Sequence, residues 1–254
     1  MFFDTHCHLD IKQFDVDRAA VLERARLANV TRFVNPAYDL PSSRAAIQMA
    51  ADHAEVVAAV GVHPNDIGGF VTQGLAELHD LVRQPKVVAI GEIGLDYHWN
   101  TFTPELQRDA FVRQIQLAVD LNLPVIIHCR DAYDDVLAIL RGAKPPVGML
   151  MHAFTGSLSQ AESTLDLGCL LGIGGPITYR NGENIRQVVK MAPLNQLVLE
   201  TDAPYLTPHP WRGKRNEPSY LPLAAKQMAE IRDLSLEETA QITTANAMRF
   251  FRLT

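Results

Sequence analysis

The chain begins with Phe2-Phe3-Asp4-Thr5-His6-Cys7-His8-Leu9-Asp10, a short apolar run that leads into two histidines. Alternate side chains of a β-strand point to opposite faces, so this spacing predicts that His6 and His8 project together while Cys7 points away. Two imidazoles side by side at the end of a buried strand form half of a metal site. Taken alone, the pair could equally well be two buried histidines held by hydrogen bonds. The rest of the chain decides between this interpretation and a metal site.

Seven further apolar runs follow, and amphipathic helical patterns separate them. The predicted strands are Phe2–His8, Arg32–Pro36, Val56–His63, Val87–Asp96, Pro124–His128, Gly148–His152, Cys169–Gly174 and Leu197–Asp202. Near-continuous Val/Ile/Leu runs are typical of parallel strands that helices cover. Eight strand–helix units in 254 residues predict an α/β protein with a closed (β/α)8 TIM barrel. A doubly wound open sheet is the alternative, because strand order cannot be read from the sequence.

The composition is that of an ordinary globular protein, with 47% hydrophobic and 20% charged residues. No linker divides the chain, so residues 1–254 are predicted to form a single domain. No stretch suits a membrane span or a signal segment, and three cysteines without a C-x-x-C spacing indicate a reducing compartment. We therefore expect a cytoplasmic protein. The net charge of −6 excludes a general attraction to nucleic acid, although a phosphodiester substrate fits if cations are concentrated at the site.

Ionisable side chains end five of the predicted strands. They are His6, His8, Glu92, His128, His152 and Asp202. Such groups are costly at the ends of apolar strands unless they are paired or bind metal, and the strand ends of a barrel converge on one mouth. Four imidazoles and two carboxylates are more than one tetrahedral zinc needs, but they suit two divalent ions about 3.5–4 Å apart. This mixed nitrogen and oxygen set admits Zn²⁺ or Mn²⁺, and also Mg²⁺ where carboxylate and water dominate.

Further residues close to the predicted strand ends suit contact with a phosphate or a base. The candidates for substrate binding are His63, Arg130, Tyr205, Arg212, Arg215 and Asn216. Each also has a structural interpretation: Arg130 could form a salt bridge with Asp131 or Glu92, and the cationic run after Arg212 could be a solvated face. Stacking on bases or packing within the fold are equally good interpretations of Tyr205, Tyr97 and Trp99.

Eight stretches also form an ordered set that spans the chain. They are Phe2–Asp10, Gly61–Pro64, Gly91–Tyr97, Leu123–Ala132, His152–Ser157, Leu199–Leu206, Arg212–Pro218 and Thr244–Phe251. In this order the chain resembles the TatD-like metal-dependent deoxyribonucleases of the amidohydrolase superfamily. The resemblance implies a (β/α)8 barrel of the metallo-dependent hydrolase type. It also implies two divalent ions, one held by His6, His8 and Asp202 and the other by His128 and His152, with Glu92 bridging them.

The activity that the resemblance implies is hydrolysis of DNA phosphodiesters, as a 3′-to-5′ exonuclease that favours single strands. A water between the two cations would lose its proton and attack, so Glu92 and Asp202 are the predicted catalytic residues, with Asp202 also taking up the proton. DNA is then the expected partner, with no protein partner and a monomer favoured. The alternative function is hydrolysis of small amides, esters or lactones on the same centre, and a third is a binding protein that has lost turnover.

Overall fold

The computed structural model describes residues 1–70, 74–99, 101–143 and 147–254. Within these ranges the strands are β1 (Phe2–Asp4), β2 (Val30–Pro36), β3 (Val56–Val60), β4 (Val87–Asp96), β5 (Val125–Arg130), β6 (Met149–Met151), β7 (Leu170–Ile173) and β8 (Leu197–Leu199). The α-helices are α1 (Arg18–Leu27), α2 (Leu40–Asp52), α3 (Leu75–Leu81), α4 (Pro104–Leu121), α5 (Tyr133–Ala143), α6 (Leu158–Asp166), α7 (Glu183–Met191), α8 (Leu221–Arg232) and α9 (Leu236–Phe250). None of these helices is long and apolar enough to cross a membrane. The amphipathic pattern also predicts a helix that starts at residue 71, and its residues 71–73 lie outside the described ranges.

The strands follow one another in chain order through the sheet, from β1 to β8. The pairings of β3 with β4 and of β7 with β8, like the other described pairings, are parallel. A doubly wound sheet reverses its strand order at a switch point, whereas a (β/α)8 barrel does not. The sequential order therefore confirms the predicted barrel class and excludes the open-sheet alternative.

The described residues divide into two compact units. The first unit comprises Met1–Val34, Ala153–Asp166 and Leu170–Thr254, and it contains β1, β7 and β8. The second unit comprises Asn35–His152 and Leu167–Cys169, and it contains β3 to β6 with α2 to α5. The single domain over residues 1–254 stays a prediction.

Helix α4 holds two strand ends of the second unit in place. Two of its buried residues, Gln107 and Gln114, lie seven positions apart and therefore on one face of the helix. Gln114 pairs with the backbone N–H (2.8 Å) and carbonyl (3.0 Å) of Val62, just after β3. Gln107 pairs in the same way with the N–H (2.8 Å) and carbonyl (3.0 Å) of Asp96, the last residue of β4. Because unpaired buried peptide groups are costly, these bonds fix the chain where it leaves both strands.

In the first unit, a buried carboxylate joins the ends of β1 and β8. Thr5 donates its backbone N–H to the carbonyl of Leu199 (3.1 Å). The carboxylate of Asp4 accepts hydrogen bonds from the N–H (2.9 Å) and hydroxyl (2.6 Å) of Thr201 and from the N–H of His6 (3.3 Å). Burial raises the pKa of Asp4 to about 7, although these hydrogen bonds lower it. The residues on the N-terminal side of His6 are thus bonded to β8 through Thr5 and to the segment after β8 through Asp4.

Three of the predicted strands extend three or more residues too far, and one of them, predicted to reach His63, ends at Val60. The strand predicted to reach His8 ends at Asp4, and the strand predicted to reach Asp202 ends at Leu199. Asp202 itself has a left-handed backbone conformation with φ of 54°, which no strand residue adopts. The side chains of His6, His8 and Asp202 therefore lie on the segments that follow β1 and β8.

Gly94 lies in β4 directly opposite His128 of β5, with φ of 146°. A Cβ atom at this position would overlap the carbonyl oxygen of His128. We expect Gly94→Ala to lower the free energy of unfolding by about 3 kcal/mol, because it adds backbone strain to a steric clash. Urea denaturation measures this loss.

Gly168 provides the matched control, because its φ is 80° but no atom lies within 4 Å of the added Cβ. Gly168→Ala should cost only about 1 kcal/mol, from backbone strain alone. Equal losses for the two variants would show that the close approach of β4 to β5 is not what requires glycine.

Candidate metal centre

The second unit brings together side chains from the ends of four successive strands. Glu92 lies in β4 and His128 in β5, while His63 follows β3 and His152 follows β6. Oε1 of Glu92 lies 2.8 Å from Nδ1 of His128, 2.7 Å from Nε2 of His152 and 3.7 Å from Nε2 of His63. Only 5% of Glu92 is exposed. Two of the predicted site residues, His128 and His152, thus surround the buried carboxylate of Glu92 together with the candidate His63, and Glu92 is itself a predicted ligand.

Asp96 determines which nitrogen of His128 carries the proton. Nε2 of His128 lies 3.0 Å from Oδ2 of Asp96, whereas Nδ1 faces Glu92 and lies 3.3 Å from Nε2 of His152. Burial raises the pKa of Asp96, but the hydrogen bond from His128 lowers it further, to about 2, so Asp96 is an ionised acceptor. Burial lowers the pKa of His128, but its hydrogen bonds to Asp96 and Glu92 raise it above the ordinary value, so the ring can donate to both carboxylates. When the ring loses one proton, donation to Asp96 keeps the other on Nε2, and Nδ1 then has an electron pair for a metal ion. Metal-bound histidines commonly have such a carboxylate on their other nitrogen.

His63 faces the same carboxylate as a neutral ring. Burial lowers its pKa to about 3, which outweighs the opposing effect of Glu92. Nδ1 of His63 accepts a hydrogen bond from the backbone N–H of Asn65 (3.1 Å), so the ring proton resides on Nε2. His63 can therefore offer a hydrogen-bond donor beside the cluster.

The first unit contains a cluster of two imidazoles and one carboxylate. Oδ1 of Asp202 lies 3.7 Å from Nε2 of His6 and 3.5 Å from Nε2 of His8. The two rings meet edge to face, with centroids 5.1 Å apart. Asp202 donates its backbone N–H to the carbonyl of His6 (2.8 Å), and His8 donates to the carbonyl of Ala203 (2.8 Å). These backbone bonds hold the three side chains in one place.

The donor atoms in both clusters fit divalent metal ions. Two ligands of a tetrahedral zinc, each about 2.1 Å from the ion, lie about 3.4 Å apart. The separations of 3.5 and 3.7 Å around Asp202 are close to this value. In the second unit, His63, Glu92 and His128 each offer a ligand atom within 4.8 Å of the others. Imidazoles with a carboxylate are also the donor types of catalytic zinc sites.

Comparison with known proteins identifies the family. The model of the TatD related DNase family matches residues 3–252. The chain belongs to this family. It is 46% identical to the uncharacterized metal-dependent hydrolase YabD of Bacillus subtilis, over 100% of both chains. It is 39% identical to the 3′-5′ ssDNA/RNA exonuclease TatD of Klebsiella pneumoniae, over 98% of this chain and 97% of that protein.

A solved structure supports the same assignment. The crystal structure of YjjV, a TatD homologue from Escherichia coli K12, matches with a TM-score of 0.95 and 34% identity, and the match covers 100% of this chain and 98% of that one. The resemblance to TatD-like enzymes and the (β/α)8 barrel are thereby confirmed. The protein is a metal-dependent hydrolase of the TatD family that acts on ester bonds.

Three of the predicted substrate contacts lie on aromatic rings. The Arg130 guanidinium lies 5.6 Å from the centre of the Trp99 ring, and that of Arg212 lies 4.3 Å from the centre of the Tyr179 ring. Tyr205 is 52% exposed and meets His8 edge to face, with centroids 6.0 Å apart. These side chains of the TatD-family chain remain candidates for binding substrate.

The other two predicted contacts brace the loop after β8. Arg215 donates two hydrogen bonds to the carboxylate of Asp17 (2.7 and 2.8 Å) and one to the carbonyl of Gln13 (2.7 Å). Asn216 is fully buried, and its amide donates to the carbonyls of Thr201 (2.8 Å) and Tyr205 (2.6 Å). Both side chains are thus engaged within the protein.

Asp96 is the residue to which the sequence interpretation assigned no role. Its carboxylate also accepts hydrogen bonds from the side chain of Asn65 (3.2 Å) and from the N–H groups of His98 (3.0 Å) and Trp99 (3.2 Å). A signal was present, since Glu92 and Asp96 are four residues apart on one predicted strand and therefore share a face. The partner that gives Asp96 its role, His128, lies 32 residues away.

We expect Asp96→Asn to weaken divalent-metal binding by about 10- to 100-fold, because the amide no longer provides the anionic acceptor that orients His128. Titration calorimetry with Zn²⁺ or Mn²⁺ measures this change without turnover. Asp135→Asn is the matched control, since Asp135 accepts a hydrogen bond from the hydroxyl of Tyr97 (2.6 Å) on the same loop. Metal affinity that falls equally in both variants would argue against orientation of His128 by Asp96.

Proposed function

We propose that this TatD-family hydrolase is a two-metal phosphodiesterase that shortens single-stranded DNA from its 3′ end. The observation that carries the proposal is the presence of two donor sets, each with enough imidazoles and carboxylates for one divalent ion. The name of the Klebsiella pneumoniae relative, at 39% identity, supports nucleic acid as the substrate class. Exposed cationic and aromatic side chains beside these sets support it further.

In this proposal His6, His8 and Asp202 hold one ion, while Glu92, His128 and His152 hold the other. Zn²⁺, Mn²⁺ and Mg²⁺ are the ions to test, since imidazole favours the first two and carboxylate with water the third. Bound divalent ions would lower the pKa of water and neutralise the charge that develops on the phosphoryl oxygens.

The side chains of the chain itself would then move the proton and orient the phosphate. Asp202 is only 9% exposed, and its second carboxylate oxygen, Oδ2, would take up the proton of the attacking water and pass it toward the leaving oxygen. The N–H at Nε2 of His63 would donate to a phosphoryl oxygen, because that ring is neutral and its Nδ1 is already an acceptor.

Other contacts to the substrate would come from charged side chains without an ion-pair partner and from exposed aromatic rings. Within the described ranges, the guanidinium groups of Arg130 and Arg212 have no carboxylate at ion-pair distance, and both are held by aromatic rings instead. Their charge is therefore available to a phosphate backbone. Tyr205 offers an exposed ring. In this proposal Arg215 and Asn216 do not contact the substrate, and they contribute by stabilising the conformation of the loop after β8.

Metal-reconstituted protein is expected to shorten 5′-labelled single-stranded DNA progressively from the 3′ end. Glu92→Ala and Asp202→Ala should each reduce turnover by at least about 100-fold, because each removes a carboxylate that neutralises and positions an ion. A labelled ladder on a denaturing gel, run with each ion in turn, measures both the rate and the polarity.

Asp109→Asn is a matched control, since this carboxylate pairs with Arg113 on the surface of α4 and belongs to neither donor set. It should retain wild-type turnover. Protein that holds metal but cleaves no DNA with any of the ions would contradict the proposal. Turnover of small esters, amides or lactones by the same protein would then identify the alternative substrate class.

Alanine substitutions of Arg212 and Arg215 should have different effects, although the two residues lie only three positions apart. Arg212→Ala should reduce the slope of log binding constant against log salt concentration by about 0.7, because one phosphate contact to a single strand is lost. Arg215→Ala should leave that slope unchanged and lower the free energy of unfolding by about 1 kcal/mol, because it breaks the bonds to Asp17 and Gln13. The same salt slope loss in both variants would mean that both arginines contact phosphate.

A further inference from the structure

We propose that Trp99, with Arg130 against it, is a stacking surface for one nucleobase of the single-stranded substrate. This inference rests on the proposed phosphodiesterase function and assigns a specific residue to recognition of the base. The side chain of Trp99 is 54% exposed, although tryptophan is the largest apolar side chain and is usually mostly buried. An exposed indole at a strand end near a metal-binding cluster therefore needs an explanation.

A hydrogen bond to Asp96 holds the backbone of Trp99, and contacts with His98 and Arg130 position its exposed ring. Oδ1 of Asp96 accepts hydrogen bonds from the N–H groups of His98 (3.0 Å) and Trp99 (3.2 Å). The N–H and carbonyl of Asp96 are themselves paired with the buried Gln107 of α4. A ring that is already positioned loses little conformational entropy when a ligand stacks on it.

The contacts of the indole place a cation and an aromatic edge beside it. The guanidinium of Arg130 lies 5.6 Å from the ring centre, and the His98 ring meets the indole edge to face at 4.8 Å. Nδ1 of His98 lies 3.3 Å from Oδ2 of Asp131, so Asp131 pairs with His98. Within the described part of the chain, no carboxylate lies at ion-pair distance from Arg130. An aromatic face with a free cation beside it matches a base and its phosphate.

The same carboxylate connects this surface to the donor set around Glu92. Oδ1 of Asp96 holds the Trp99 turn, and Oδ2 of Asp96 accepts from Nε2 of His128 at 3.0 Å. Arg130 is two residues beyond His128 in β5, and the backbone of β4 pairs with it at Asp96. A strand whose phosphate reaches the donor set around Glu92 would therefore have the Trp99 ring beside it on the same loop and strand ends.

Stacking of this kind selects for single strands and tolerates any base. Every base has a π face, but that face is free only when the base is not stacked within a duplex. Stacking uses the base rather than the sugar, so Trp99 would treat deoxyribose and ribose strands alike. If Trp99 served only to pack the loop, its contribution to strand binding would not depend on whether the strand carries bases.

The test uses the tryptophan fluorescence of the full chain. The protein contains two tryptophans, and Trp211→Phe leaves Trp99 as the only one. Metal-free Trp211→Phe protein is titrated with a short thymidine oligonucleotide and with an oligomer of the same length that has abasic sites. We expect quenching by the base-bearing strand only. Equal quenching by both oligomers, or quenching by neither at concentrations that saturate binding in a filter assay, would overturn the proposal.

Steady-state kinetics give a second readout on the metal-loaded protein. Trp99→Ala should raise KM for the thymidine strand by about tenfold and leave kcat within about twofold, because uniform binding is lost. Trp99→Phe should retain most of the affinity, and neither variant should change KM for the abasic strand. A lower melting temperature of Trp99→Ala with unchanged KM would show a packing role only. If the wild-type protein cleaves no strand at all, the phosphodiesterase proposal fails, and the quenching titration still decides the stacking proposal.

Discussion

The chain of hydrogen bonds from Glu92 through His128 to Asp96 is the constraint on which the second unit depends. Ionised carboxylates at buried strand ends are tolerated only when polar partners replace water, and here each nitrogen of His128 has its own carboxylate. Asp96 uses its second oxygen to fix the turn after β4, so one side chain orients a candidate ligand and shapes the adjacent loop. A change at Asp96 therefore affects local structure and chemistry together, and the two effects need separate measurements.

In the first unit, a different buried carboxylate, Asp4, holds the segments that carry the candidate ligands. Asp4 receives hydrogen bonds from Thr201 and His6, and thereby links the strand before one pair of candidate ligands to the turn that carries Asp202. Burial still raises the pKa of Asp4 to about 7, so its negative charge is costly in this environment. Each unit therefore has a buried carboxylate, Asp96 or Asp4, that is not a predicted metal ligand but helps to position the predicted ligands beside it. Such supporting groups are common around metal sites because they lock side-chain orientation.

The sequence predicted the strands and their order of appearance, because apolar runs and period-two alternation depend only on neighbouring residues. It also singled out the candidate ligands, which the structure clusters within each unit. It could not predict where strands end. Asp202 needs a left-handed backbone to face His6 and His8, and nothing local in Leu-Glu-Thr-Asp indicates that conformation. It also could not distinguish Arg212 from Arg215. The difference lies in Asp17, which is 198 residues from Arg215 and becomes its neighbour only in the fold.

If it acts on nucleic acid as proposed, this acidic protein must bind a polyanion through short-range contacts. The net charge of −6 repels a phosphate backbone at distances where screening is weak. Arg130 and Arg212 rest on aromatic rings, which hold the guanidinium groups without neutralising them. In the proposed function, stacking and phosphate contacts to a few nucleotides would then supply the affinity, and they would act only on a strand whose bases are exposed. A site of this kind would bind an end or a single-stranded segment and gain little from a long duplex, so the proposed exonuclease action fits it better than cleavage inside a helix does.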